Sequence, residues 1–266
     1  MDYNKLAQLL FPDIDKSCED YENQFPSRNL PEGAKVTRFA PSPTGFLHIG
    51  GLFAALISER IAHQSGGKFI LRIEDTDKKR EVENGVSKII EGLNAFGIRI
   101  DEGFTDFDVQ QGEYGPYKQS EREKIYKCFA KSLVEKGYAY PCFCSEETLS
   151  ELREKQEAAK QLPGYYGEYA LCRNLSYEQI EENIKAGKPY VLRLKSPGDE
   201  SRRISFKDGI RGKIEMPENI TDVVILKSDG IPTYHFAHVV DDHLMRTTNV
   251  IRGDEWISSV PIHLQM

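Results

Sequence analysis

Three stretches of the sequence gather residue types that chemistry needs. The first is Arg38-Phe-Ala-Pro-Ser-Pro-Thr-Gly-Phe-Leu-His48-Ile-Gly-Gly51. A turn locked by prolines, followed by glycines at a helix start, exposes backbone N–H groups that suit an anion. Gly50 and Gly51 carry no side chain, so a nucleotide can approach the backbone closely. His48, just ahead of them, can donate a hydrogen bond to a phosphoryl oxygen in a transition state. Standing alone, a His-x-Gly-Gly run would be no more than a turn with a surface histidine.

The second stretch is Leu71-Arg-Ile-Glu-Asp-Thr-Asp77. In open α/β sheets ligands sit outside the carboxyl ends of the strands, where Glu74 and Asp75 would hold an ammonium group or sugar hydroxyls. Thr76 or Asp77 also fits an ordinary helix cap. The third is Tyr234-His-Phe-Ala-His238-Val-Val-Asp-Asp242-His243, followed by Val250-Ile-Arg252-Gly-Asp-Glu-Trp256. Its histidines and aspartates lack the fixed spacing of a metal site, which favours polar substrate contacts. Arg252 suits two-pronged capture of a carboxylate.

Cys142-Phe-Cys144 and Cys172 form a fourth group. Three thiols in a loop-rich region suit structural zinc, which takes four tetrahedral ligands; three reduced, half-buried cysteines are the equal alternative. No histidine lies between His63 and His235, so Tyr165, Tyr166 or Tyr169 would have to complete the set.

The elements that position these groups can be read from periodicity. Val36 to Ala40 reads as a buried strand, and Leu52/Leu56 with Phe53/Ile57/Ile61 repeat at helical spacing. Gly66-Gly67 ends that helix, and Lys68 to Ile73 reads as a second strand. Strand, helix and strand within about forty residues make a βαβ unit and hence a parallel sheet. A helix follows over Glu83–Phe96, and two more, Glu121–Lys136 and Glu146–Lys160, bracket the Cys-x-Cys run. A hairpin is expected over Ile204–Met216, turning at Asp208-Gly209. Val223–Leu226 and Val250–Arg252 read as strands resuming the parallel sheet. The fold class is therefore α/β, a doubly wound, Rossmann-like parallel sheet interrupted by an inserted α+β domain. The boundaries expected are 1–34 for an extension outside the main domain, 35–114 for the first half of the sheet domain, 115–217 for the insert and 218–266 for the second half.

Composition narrows the partners. The chain has 266 residues with 39% hydrophobic and 29% charged, enough for a sizeable core under a solvated surface. Its longest apolar run, Leu52 to Ile57, is far short of the roughly 18 residues of a membrane span. Five cysteines make no disulfide framework, so a cytoplasmic setting is expected, with no membrane partner. The net charge of −7 excludes a generic DNA coater. Charge is uneven, however: Arg193 to Lys213 carries seven basic residues against three acidic ones, a local field that an RNA would meet.

Arg38-Phe-Ala-Pro-Ser-Pro-Thr-Gly, Arg72-Ile-Glu-Asp-Thr-Asp and Val239-Val-Asp-Asp-His occur together, in order. With them the chain resembles the class I aminoacyl-tRNA synthetases, specifically bacterial-type glutamyl-tRNA synthetases, from Val36 to Met266. The resemblance implies that L-glutamate attacks the α-phosphate of ATP, carried with Mg2+, to give glutamyl-adenylate. The glutamyl group then passes to the acceptor end of tRNA(Glu). The family's His-x-Gly-His element falls on His48-Ile-Gly-Gly51, with glycine at its last position. By resemblance His48, Gly50 and Gly51 are catalytic, and Pro41, Thr44, His48, Gly50, Glu255 and Trp256 lie along ATP. Arg38, Ala40, Ser42, Glu74, Tyr234, His238 and Arg252 hold glutamate. His238 is similar to the glutaminyl members, whereas a cationic fork such as Arg252 prefers a carboxylate to an amide. The insert resembles the connective-peptide domain that grips the acceptor stem. Its Cys142, Cys144 and Cys172 resemble zinc-binding relatives, although Asn174 stands where histidine is common.

No second, lysine-rich loop of the Lys-Met-Ser-Lys-Ser kind is present, so the chain is expected to be the N-terminal portion of a longer, monomeric synthetase of weak or no activity alone. A stand-alone enzyme that glutamylates a modified tRNA base would need that loop. A non-catalytic acceptor-binding module would dispense with His48 and Glu74, and a nucleotidyltransferase would lack Arg252 and the Cys-x-Cys insert.

Overall fold

The computed structural model describes residues 1–44, 47–76, 82–106 and 109–266. Gly45, Phe46 and Asp77, which belong to the first two motifs, lie outside the described residues. In chain order the elements are α1 (Tyr3–Leu10), α2 (Cys18–Gln24), β1 (Val36–Phe39), α3 (Ile49–Gln64), β2 (Lys68–Leu71), α4 (Gly85–Ala95), β3 (Glu102–Asp106) and β4 (Val109–Gln111). There follow α5 (Glu123–Glu135), β5 (Ala139–Cys142), α6 (Glu146–Ala158), α7 (Tyr177–Lys185), β6 (Val191–Leu194), β7 (Arg203–Asp208) and β8 (Gly212–Pro217). The last elements are β9 (Val224–Leu226), α8 (Tyr234–Leu244) and α9 (Val260–Gln265). The chain divides into two compact units, one of residues 18–125 and 237–257, the other of residues 1–17, 126–236 and 258–266.

The first is a parallel-sheet unit. Strands β1, β2 and β3 run parallel in that order, and β4 adds an antiparallel edge. Phe69, Ile70 and Leu71 are wholly buried, the continuous apolar run of a strand covered on both faces. Helix α3 reaches the sheet through small residues: Ala55 and Ala62 are fully buried, and Thr37 Oγ1 donates to the Ser58 carbonyl at 2.8 Å. The helix stops at Gly66-Gly67, as its sequence predicts. A Cβ on Gly67 would lie 1.8 Å from the Lys35 carbonyl oxygen, so only glycine lets the chain turn back beside β1.

The second is an antiparallel unit. Its sheet has the order β5-β6-β9, with both pairings antiparallel, and β7 and β8 form a separate hairpin. The hairpin turns where the sequence places it, with Asp208 Oδ1 accepting from the N–H groups of Ile210 and Arg211 at 2.8 and 2.7 Å.

Three expectations change. Val224–Leu226 does not resume the parallel sheet; it is β9, paired antiparallel with β6, so that sheet continues past residue 217. A run of three apolar residues reads alike in either setting, and its partner decides. Val250–Arg252 forms no strand: Thr248 and Asn249 both donate to the Val36 carbonyl, at 2.9 and 3.2 Å, so the chain lies beside β1 without a ladder. Residues 1–34 are not an outlying extension. Leu6 and Ala7 are fully buried in the antiparallel unit, while Phe25 is buried in the parallel-sheet unit. There Arg28 clasps Glu102 with two hydrogen bonds of 2.5 and 2.9 Å. The parallel-sheet unit runs on to residue 125, and Ile73 exchanges backbone hydrogen bonds with Tyr117 and Gln119.

Candidate active site

The third residue of β1 is Arg38, whose side chain is buried although it carries a charge. Three residues beyond β2, Glu74 is also buried, and its N–H donates to the Pro41 carbonyl at 3.0 Å, which ties the second motif to the turn of the first. Helix α8 supplies His238, Asp241 and Asp242. Residues four apart share a helix face, so Tyr234, His238 and Asp242 form one row.

Buried charges must be paired, and this group is. Arg72, with no exposed surface, bonds Asp242 at 2.7 Å and Glu74 at 3.1 Å and lies 3.5 Å from Asp241. Burial alone would push its proton off; Asp242, Asp241 and Glu74 outweigh that and hold it on. Arg122 meets the other oxygen of Asp241 at 2.6 Å, and Gln119 donates to Asp241 at 2.9 Å. Arg38 presents Nε to both oxygens of Asp242, at 3.2 and 3.1 Å. Burial would raise the Asp242 carboxyl, but Arg38, Arg72 and His238 hold it well below the usual carboxylate range.

Arg252 completes the group from the other direction. Its guanidinium lies over the Trp256 ring, 4.2 Å from the centroid. Burial, then the charges of Arg38 and Arg72, push it down to about 10 against the opposing pull of Glu74 and Glu255. Four guanidiniums (Arg38, Arg72, Arg122, Arg252) stand with four carboxylates, Glu74, Asp241, Asp242 and the exposed Glu255, among the described residues. Arg38 and Arg72 crowd Arg252 with like charge, a repulsion that an anionic ligand would relieve.

His48 caps α3. Its Nδ1 accepts from the N–H groups of Gly50 and Gly51 at 3.1 and 3.3 Å, so its proton resides on Nε2 of an exposed ring. Those two N–H groups thus serve the histidine, and Nε2–H is the donor left to face a phosphate. Ala40 and Pro41 are half-buried and Ser42 and Thr44 exposed, the last two joined by a 2.8 Å backbone bond. Glu255 is exposed, Trp256 lies under Arg252, and Tyr234 opens α8 in the antiparallel unit.

Sequence reasoning brought out Arg38, Glu74, His238 and Arg252, which the structure joins in one electrostatic group. It passed over Arg72, Asp241 and Asp242 as working groups. The signal was present in Arg72, a charge between Leu71 and Ile73 in a buried run, which demands carboxylates nearby.

The thiols lie in the antiparallel unit. The sulfurs of Cys142, Cys144 and Cys172 lie within 4.8 Å of one another, and Cys144 and Cys172 are 3.7 Å apart. A tetrahedron with metal–sulfur bonds of about 2.3 Å has edges of about 3.8 Å. Tyr165 Oη lies 3.3 Å from the sulfurs of both Cys142 and Cys144, which selects it from the three tyrosines. The Phe143 N–H points at Cys172 Sγ at 3.4 Å, and Arg193 covers the Tyr165 ring at 4.0 Å. A hydrogen bond from Cys172 outweighs burial and pulls the Cys142 thiol down to about 4. Three sulfurs and a phenol at tetrahedral spacing fit zinc.

The family model for the catalytic domain of class I tRNA synthetases (E and Q) matches residues 35–266. The chain belongs to this family. A glutamate--tRNA ligase of Clostridium perfringens is 58% identical over 266 residues, covering the whole of this chain and 49% of the relative. That of Acetivibrio thermocellus is 54% identical over 267 residues, again with 49% of the relative covered. A crystal structure of a glutamate tRNA ligase from Elizabethkingia meningosepticum, in complex with its amino acid, superposes with a TM-score of 0.79 at 42% identity. The match covers 86% of this chain and 46% of that one. The chain thus spans about half the length of the curated relatives it matches. No helix among the described residues is long and apolar enough to cross a membrane.

Proposed function

We propose that this chain is the amino-acid-activating part of an ATP-dependent glutamate--tRNA ligase, acting through glutamyl-adenylate on tRNA(Glu). The crowding of Arg252 by Arg38 and Arg72 carries the reading, because that repulsion is relieved by a side-chain carboxylate and not by an amide. Glu74 stands in the same group as partner for the substrate ammonium. His48, donating from Nε2, stabilises charge on the α-phosphate as the glutamate α-carboxylate attacks and pyrophosphate departs. Chemistry of this kind asks the protein for position and charge rather than covalent work. ATP would bring Mg2+ with it, as a phosphate-bound ion that keeps most of its own waters. The basic hairpin strands β7 and β8, with Arg203, Lys207 and Lys213, supply cations for the tRNA backbone.

Zinc, held by Cys142, Cys144, Cys172 and Tyr165, would tie the loops after β5 to the segment before α7 and so shape the tRNA-facing unit. The reading is tested by calorimetric titration of the 266-residue chain with a non-hydrolysable glutamyl-adenylate analogue, beside a tRNA charging assay. Saturable binding with marginal charging is expected. Failure to bind the analogue contradicts the reading.

A further inference from the structure

Residues 22–28 precede the stretch that the family model matches, yet they hold the end of α8 within the parallel-sheet unit. Arg28 is nearly buried and commits each of its nitrogens. Its Nε donates to the carbonyl of Met245, the residue after α8, at 3.0 Å. Its Nη1 and Nη2 donate to the two oxygens of Glu102 on β3, at 2.5 and 2.9 Å. Arg246 reaches back: its Nε donates to the Phe25 carbonyl at 2.9 Å and its Nη2 to Glu22 Oε2 at 2.6 Å. His243 Nε2 meets the other oxygen of Glu22. Arg246 stands at φ 57°, a left-handed conformation that favours glycine. Such a conformation persists in another residue where its surroundings over-determine it, and here the side chain supplies the reason.

We propose that residues 22–28 are a clasp that positions the buried ion network of the site, with Arg28 and Arg246 as its positioning residues. The network hangs from α8 just before the clasped end, where Asp241 pairs with Arg122, and Asp242 with Arg72 and Arg38. Two contacts join the clasp to those ions. The Phe25 ring, 1% exposed, has its centroid 5.9 Å from the Arg122 guanidinium carbon. Met245, wholly buried and held by Arg28 through its carbonyl, brings its sulfur to 3.8 Å from Arg72 Nη1. Arg28 and Arg246 therefore act through Met245 and α8 rather than on a ligand. If the helix end were free to shift, the two carboxylates would meet their three arginines at altered distances, which a buried ion network tolerates poorly. Assigning the network to amino-acid binding is the reading given above, and only the ligand arm of the test rests on it.

Two measurements test it. The chain has four methionines, so 13C-methyl spectra of the 266-residue chain are simple, and Met245→Leu assigns the buried one. Arg28→Ala and Arg246→Gly should each move the Met245 signal. Each should also weaken binding of a non-hydrolysable glutamyl-adenylate analogue roughly tenfold, the scale of losing a charge-assisted bond. Leu93→Ala is the control: it opens a cavity under α4 in the same unit and lowers the melting temperature. It should leave the Met245 signal and the affinity unchanged, whereas an equal loss of affinity in this control reduces the clasp to general stability and overturns the proposal. Arg28→Lys keeps the charge but cannot span Met245 and Glu102 together, so it should fail as alanine does and decides the matter if alanine does not fold. An unmoved Met245 signal, or full affinity, in the folded Arg28 and Arg246 variants overturns the clasp. If none of these variants folds, the unaltered chain decides: its Met245 signal should shift when the analogue binds, and a constant signal overturns the coupling. Absence of analogue binding by the unaltered chain contradicts the glutamate reading, and the Met245 signal of the variants then tests the clasp by itself.

Discussion

Arg38, the third residue of the first parallel strand, meets Asp242 of helix α8 across 204 residues of sequence, offering Nε to both carboxylate oxygens. One ion pair thereby joins the turn of the first motif to the helix of the third. The carboxylate also anchors Arg72 and His238, so the pocket is built as a network rather than as separate contacts. Truncating one partner should therefore cost more than one bond.

Arg72 gives the clearest case. Replacing it with methionine leaves Asp241, Asp242 and Glu74 short of a fully buried cation. Breaking a buried pair from one side costs about 3–5 kcal/mol. Urea unfolding of Arg72→Met should show a loss on that scale, and a loss below about 1 kcal/mol would contradict the network.

Asp242 should shape acid stability. Its folded carboxyl sits well below the ordinary value of 3.8, because Arg38, Arg72 and the His238 bond outweigh burial. A group lowered on folding contributes stability that is full above its unfolded value and is lost as pH falls through the folded one. The stability gap between the unaltered chain and Asp242→Asn should thus be constant above about pH 5 and shrink below about pH 4. A gap of the same size at all pH values would rule this out.

How much of this was readable beforehand depended on locality. The β1–turn–α3–β2 unit follows from period and punctuation within one stretch, and Gly66-Gly67 ends the helix as read. Val223–Leu226 reads as a strand of the wrong sheet, since its neighbour β6 lies some thirty residues earlier and a short apolar run carries no direction. The prolines at 12, 26 and 31 disguised a segment whose Leu6, Ala7 and Phe25 are core residues. In the site, Arg38, Glu74 and Arg252 were visible by residue type. Asp241 and Asp242 read only as members of a run of polar contacts, and their partners Arg122, Arg72 and Arg38 lie too far off in sequence to be assigned without the fold.

His48 has two separable duties, capping α3 through Nδ1 and donating through Nε2. Asparagine keeps a good cap and loses the imidazole donor. His48→Asn in a charging-competent enzyme should lower adenylate formation by roughly 10²–10³-fold, with little change in ATP affinity or thermal stability. Weakened ATP binding at normal turnover would show that the donor role is wrong.

The thiol cluster should retain metal through purification. Elemental analysis is expected to find about one zinc per chain, and Cys172→Ser should lose it and lower the melting temperature. Metal-free protein with an unchanged melt after chelation would reduce the cluster to three packed cysteines.

The central claim is that a crowded set of guanidiniums, Arg252 foremost, selects a substrate carboxylate. The most direct measurement is a pair of calorimetric titrations of the 266-residue chain with glutamyl- and glutaminyl-adenylate analogues, repeated with Arg252→Ala. The unaltered chain should bind the glutamyl analogue at least about tenfold more tightly, and Arg252→Ala should erase most of that difference. Equal affinities, or a preference for the glutaminyl analogue, would contradict the account.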